Sequence, residues 1–358
     1  MSNETIKRKE EFTSNDGRNI DPSISYLTGE AASQAIEAHG QPQPGSKPRW
    51  GKLPEPSRDD PTYYGVPMLK KPVWEWAIPL YYYVGGLAGA SIALGAATQL
   101  FGTEDSQWAA TRCRWMGIAG ASFGGALLIY DLGRSSRFLN MLRVFRPTSP
   151  MNVGAWILAG TVPTVVVAEV LSGQRGILGF ASRVFGLASG MFGMGLATYT
   201  GVLVSNSAIP VWSESRTVLP ILFGASAVTS AAAAFDVINA DHNHRSIEAF
   251  GTVGKISELA VAQLLERRLL EVPRVAIPLH KGKSGFLWKA ATALTAGSMA
   301  VRLLPIQKRR KRVLSGVLAS LGSICLRFGI HEAGALSAQD SRASFRLQHH
   351  QAAPKPSL

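Results

Sequence analysis

Apolar residues in this chain come in long blocks, and the charges gather between the blocks. Uncharged stretches run from Trp76 to Thr103, Trp115 to Tyr130, Pro147 to Ala168, Val184 to Ser213 and Thr217 to Phe235. Recurrent uncharged runs of about 16 to 30 residues predict membrane-spanning helices. The first predicted span begins after Lys70-Lys71-Pro72, the second covers Trp115 to Tyr130, and the third covers Asn152 to Val170. The fourth ends near Ser205-Asn206, and the fifth covers Thr217 to Phe235. A sixth lies between His244 and Glu266, where apolar residues keep helical spacing despite Glu248, Lys255 and Glu258. Phe286 to Leu304 and Val313 to Ile330 complete the set. The runs are continuous rather than alternating, which argues for helices over a membrane β-barrel. The expected class is therefore all-α: a polytopic integral membrane protein with eight transmembrane helices in bundles.

Polar segments flank this region. Residues 1–62 contain Pro42, Pro44, Pro48, Pro54 and Pro56, which forbid a long helix and predict a solvated, disordered tail. Residues 63–336 form the expected membrane domain, and residues 337–358 a second polar tail.

Charge changes the picture little. The chain carries 37 Lys and Arg against 24 Asp and Glu, a net charge of +13. In a soluble domain that would suggest nucleic acid. Here the basic residues sit at the ends of apolar runs, as in Lys308-Arg309-Arg310-Lys311-Arg312, so membrane lipid headgroups are the expected ligand and no nucleic acid is. The two cysteines, Cys113 and Cys325, are too few for an iron–sulfur cluster. Of the histidines, His331 alone lies near a predicted span, so no transmembrane haem and no metal site is expected in this chain.

Eight spans put both termini on one side of the membrane. That side then collects Glu75, Asp131, Arg134, Arg137, Tyr199, Asn206, Arg327 and His331. Asp131 and Arg134 belong to Tyr130-Asp131-Leu132-Gly133-Arg134, which reads either as a charged interfacial loop or as part of a site. On the other side, Asp236, Asp241, His242 and His244 read as a solvated loop or a proton entrance. Glu258 is a central membrane carboxylate, which costs about 2.5–3.5 kcal/mol on insertion scales. Lys255 lies one turn before it, so the two predict a buried pair or a step in a proton path.

Several segments resemble one family. They are Pro72-Val73-Trp74-Glu75-Trp76 with Tyr81 to Gly86, Tyr130 to Arg134 with Phe138 to Leu142 and Arg146 to Met151, Thr198 to Leu203 with Ile209 to Trp212, and Arg327 to Gly334. Together they are similar to the membrane subunits of the NrfD/polysulfide reductase family, over roughly Tyr63 to Asp340. The resemblance implies a quinone- or quinol-interacting subunit, with menaquinone or ubiquinone as the cofactor. It would pass electrons between the quinone pool and a ferredoxin-like iron–sulfur subunit. That partner would serve a molybdenum-type or multihaem cytochrome catalytic subunit in the bacterial inner membrane.

Quinone chemistry needs hydrogen bonds to two carbonyl oxygens and a route for protons. The resemblance directs attention to positions near Glu75 and Tyr199, where relatives hold the headgroup near the docking surface of the partner, and the shared side of the membrane adds Tyr82, Asp131 and Arg134 to the expected pocket. Glu75 stands where some relatives have an amide and an imidazole. Tyr199 would donate to a quinone oxygen, or else bond a neighbouring helix as a packed aromatic. Asp131 or Glu75 would exchange protons, with Glu258 in a proton path. A transporter or channel, built with the same glycine-rich packing and buried charge, is the alternative, as is a passive anchor without a working quinone site.

Overall fold

The computed structural model describes residues 67, 69–101, 107–132, 135–241, 245–305 and 307–344. The expectations for residues 1–62, for Arg134 and for residues 242–244 fall outside this set, as does the side chain of Arg137. All regular structure among the described residues is helical. The long helices are α1 (Ala77–Phe101), α2 (Gln107–Asp131), α3 (Pro150–Val170) and α4 (Gly176–Ser205). After a short α5 (Pro210–Glu214) come α6 (Val218–Ile238) and α7 (Arg245–Leu270). A short α8 (Pro273–His280) precedes α9 (Gly282–Val301) and α10 (Lys308–Ala338). These elements belong to one unit, Met68–Leu358.

Five helices, α1, α3, α4, α6 and α10, are long and apolar enough to cross a membrane. The others, α2, α7 and α9, have 25, 26 and 20 residues and carry more polar groups. Three helices start well before their apolar runs, α4 among them, which begins at Gly176 rather than Val184. α2 begins at Gln107 rather than Trp115, because its two early arginines are accommodated. Arg112 lies 5.6 Å from the centre of the Trp108 ring, and Arg114 pairs with Glu169. α10 likewise takes in the basic run at Lys308 and extends to Ala338, beyond the expected Val313 to Ile330.

The helix ends follow local chemistry. Ser149 caps α3 by accepting from the Asn152 N–H, and Pro150 takes the first turn, where its missing N–H costs nothing. Between α3 and α4 the chain reverses through Gly173 and Gly176, at φ 83° and 63°, a left-handed conformation that side chains resist.

The long helices fall into two groups. In the first, α1 packs on α2 and α4, and α3 packs on α4. In the second, α6 packs on α7 and α10, and α9 on α10. α1 and α6 join the groups, with α10 also touching α1. Small residues allow the closest approaches. Gly89 of α1 faces Gly193 of α4, each against the other's backbone carbonyl. Gly86 and Gly201 serve packing in the same way. Gly86 lies against Ala227 and the Arg327 guanidinium, and Gly201 against the Leu219-Pro220 backbone.

Candidate functional site

The loop after α2 is tied down by one side chain. Asn152 Nδ2 donates to the carbonyls of Met141 at 2.7 Å and Val144 at 3.0 Å, while its Oδ1 accepts from the Arg146 N–H at 2.7 Å. Three bonds therefore hold the end of the 3-10 helix Ser135–Leu142 and the chain after it on the first turn of α3. This fixes the segment that leaves α2 at Asp131.

Asp131 is half-buried at the end of α2, within electrostatic reach of Glu75, which is exposed just before α1. Tyr82, fully within α1, lies within the same reach of Asp131, Tyr199 and Arg327. Its hydroxyl is buried and has no protein partner. The Tyr199 hydroxyl is hydrogen-bonded to that of Tyr81. Thus four sequence-predicted residues, Glu75, Tyr82, Asp131 and Tyr199, come together through electrostatic neighbourhood. Tyr199 is also the packed aromatic of the plainer reading, bonded to a neighbouring helix. Its ring lies directly over Gly154 of α3, and the Tyr81 ring lies over Gly124 of α2. A methyl group at Gly154 would collide with the ring above it, and one at Gly124 would crowd the Tyr81 ring by a few tenths of an ångström.

An aromatic cluster beside this group was not read from the sequence as a site. Trp74 and Trp212 stack with ring centres 6.1 Å apart. His331 lies 6.2 to 6.4 Å from the rings of Tyr82, Trp212 and Trp74. Trp212 is held by donating from Nε1 to the Ile330 carbonyl at 2.9 Å, in space left by Gly334. His331 Nε2 lies 3.2 Å from the Trp74 carbonyl. A carbonyl only accepts, so Nε2 carries the proton. Nδ1 is then a bare acceptor in the neutral ring, buried without a protein partner. The signal for Tyr81 was its helical spacing with Gly85 and Gly89; that for Arg327 and His331 was polarity inside the last apolar run.

Glu258 is not in this group. It is buried in α7, where its Oε1 accepts from Thr295 Oγ1 at 3.3 Å. Lys255, also buried, donates to Ser315 Oγ at 2.9 Å. The expected Lys255–Glu258 pair is replaced by separate partners on α9 and α10. The acids expected on the opposite side are paired as well: Asp236 with Arg302 at 2.7 Å, and Asp241 with Arg309 at 3.0 Å. Among the described residues no group of three or more His, Cys, Asp or Glu could hold a metal ion.

Long apolar helices surrounding buried tyrosines and charges define an integral membrane protein. The chain belongs to the family described as Polysulphide reductase, NrfD, whose model matches residues 66–337. It is similar to the C subunit of the polysulfide reductase of Wolinella succinogenes, 29% identical over 179 residues. That match covers 44% of this chain and 55% of the relative, so it spans about half of the relative's length.

Proposed function

We propose that this chain is the membrane subunit of a respiratory oxidoreductase, exchanging electrons between membrane quinone and an iron–sulfur partner. In this reading all eight long helices cross the bacterial inner membrane, with residues 63–336 as the membrane domain. A ferredoxin-like subunit docks on the side of the Asp131 loop and passes electrons to or from a molybdenum-type or multihaem catalytic subunit. The relative's name, that of a polysulfide reductase subunit, supports membership of such a complex.

The observation that carries the reading is the unpartnered, buried Tyr82 hydroxyl beside the Tyr81–Tyr199 hydroxyl pair. A quinone headgroup offers two acceptor oxygens, and bound quinone supplies the two-electron, two-proton chemistry. Tyr82 has one proton to donate. A pair of hydroxyls spends one proton on its own bond and keeps another for a ligand, so Tyr199 or Tyr81 donates the second. Asp131 and Glu75 are the carboxylates that exchange protons with the membrane surface. Arg134, just past the end of α2 in sequence, is assigned to orienting Asp131 by charge. The buried charges of the second group suit the transporter reading too, but Glu258 and Lys255 lie outside this tyrosine group and need not move any solute larger than a proton.

Steady-state quinol oxidation or quinone reduction by the assembled complex tests the assignment. One lost hydrogen bond to a ligand is worth about 0.5–1.5 kcal/mol, or roughly twofold to tenfold. Tyr82→Phe and Tyr199→Phe are each expected to slow turnover by that factor, and Asp131→Asn by more, because it removes both charge and proton exchange. Asp241→Asn is expected to leave turnover unchanged. Normal turnover in all three site variants would move the quinone site elsewhere.

A further inference from the structure

His331 stands where the tyrosine group meets the aromatic cluster. It lies on α10 one turn after the buried Arg327 and is itself 7% exposed. Its ring centre is 6.2 Å from that of Tyr82, edge to face, and 6.3 and 6.4 Å from those of Trp212 and Trp74.

The ring is held in one orientation. Its Nε2–H donates to the Trp74 carbonyl at 3.2 Å, Trp74 stacks on Trp212, and Trp212 is fastened to the Ile330 carbonyl one residue before His331. Turning the ring over would break the bond to Trp74. Neither nitrogen has a carboxylate partner, which a buried imidazolium would need, so the ring is neutral. Nδ1 is then a fixed, buried acceptor with no hydrogen bond in the protein. Packing alone does not call for it, because a phenylalanine would fill the same aromatic space without burying a bare nitrogen.

The neighbouring Tyr82 hydroxyl is buried without a partner too, and it has a proton to donate. A ligand group that both accepts and donates satisfies the two residues at once. Its oxygen takes the Tyr82 proton, and its own proton goes to Nδ1. A hydroxyl does this. A carbonyl oxygen only accepts, so it would serve Tyr82 and leave Nδ1 bare. Quinone and quinol differ in this respect, since reduction turns each carbonyl into a hydroxyl.

We propose that His331 Nδ1 accepts a hydrogen bond from a hydroxyl of the reduced ligand and so tilts the site toward quinol over quinone. The assignment rests on the function proposed above and names the redox form that its site selects. His331 touches the ligand, while Trp74 and Trp212 hold the ring in place. One hydrogen bond separates the two forms at this atom, so His331 favours quinol by roughly twofold to tenfold in affinity.

The test is isothermal titration of the purified full-length protein in detergent with decylubiquinone and with menadione. Each is used in its oxidised form and, under an anaerobic reductant, as the quinol. His331→Gln keeps an N–H for the Trp74 carbonyl but lacks the Nδ1 acceptor. It is expected to lose roughly twofold to tenfold in quinol affinity, with quinone affinity at the wild-type value. His331→Asn, whose amide oxygen stands near the place of Nδ1, is expected to recover most of the quinol affinity. Equal quinol affinity in wild type and His331→Gln would leave Nδ1 to a buried water and overturn the assignment. An equal loss of both redox forms would make His331 a packing residue, and no binding of either form to the wild type would remove the site; each of these overturns it as well. Redox-selective binding that depends on His331, in a chain whose assembled complex passes no electrons, would remove the electron-exchange reading and leave the assignment standing. Turnover that falls in Tyr82→Phe and Asp131→Asn, with quinol affinity indifferent to His331, would do the reverse.

Discussion

The two helix groups treat buried charge in opposite ways. In the first, Arg114 and Glu169 close on each other at 2.6 Å, and Arg114 Nη1 also reaches Gln99 Oε1 at 3.3 Å. The side chains of the pair are 6% and 12% exposed, and neither leaves a buried polar atom without a partner. In the second, Glu258 and Arg327 are buried at least as deeply, and both leave atoms unpaired. Both arrangements cost desolvation. Only the closed one recovers that cost within the protein. Satisfaction therefore separates a closed charge pair that fastens helices from charges left partly unpaired, where burial alone does not.

The largest effect expected from breaking this contrast lies in the first group. Arg114→Ala strands the Glu169 carboxylate, and removing one partner of a buried pair costs about 3–5 kcal/mol. The expected result is a large fall in the melting temperature of the detergent-solubilised protein. The double variant Arg114→Leu with Glu169→Leu, which removes both charges, is expected to recover most of the loss. A double variant as unstable as the single one would mean that the pair does more than fasten α2 to α3.

Next in size is the glycine contact between α1 and α4. Gly89→Leu forces a side chain against the Gly193 carbonyl and the Ala197 backbone. Overpacking of this kind costs about 1–3 kcal/mol, and here the obstacle is backbone, which yields little. Folded yield and melting temperature are expected to fall together. Normal values would show that the first group is not held by close backbone approach.

Much of this was legible in the sequence, for reasons particular to membranes. Lipid forces helices on every apolar run, so Ala77–Phe101 and Val218–Ile238 follow from their uncharged stretches alone. The starts of α2 and α10 were hidden, because arginines with partners inside the protein look like helix ends in sequence. Glu75, Tyr82, Asp131 and Tyr199 could be grouped because alternating spans bring alternate helix ends to one surface. Which hydroxyl stays unpaired could not be read. Tyr81, Tyr82 and Tyr83 are chemically identical in sequence, and only helix rotation turns Tyr81 toward Tyr199 and Tyr82 toward Arg327. The separation of Lys255 from Glu258 was equally invisible, since Ser315 and Thr295 come from helices far along the sequence.

The smallest expected effect comes from an exposed acid at the end of the second group. Asp241 meets Arg309 at 3.0 Å, but their side chains are 70% and 71% exposed. Solvent screens such a pair, and holding two side chains in one geometry offsets most of the attraction, so exposed pairs are worth roughly 0–1 kcal/mol. Asp236, by contrast, is only 10% exposed and bonded to Arg302. Asp241→Asn is therefore expected to change the melting temperature little and to leave quinone turnover at its wild-type value. Raising the salt concentration should remove even the small stability difference, because screening weakens exposed pairs first. A loss of stability in Asp241→Asn as large as that of Arg114→Ala would show that exposure does not weaken the pair and end the distinction between buried and exposed charge pairs.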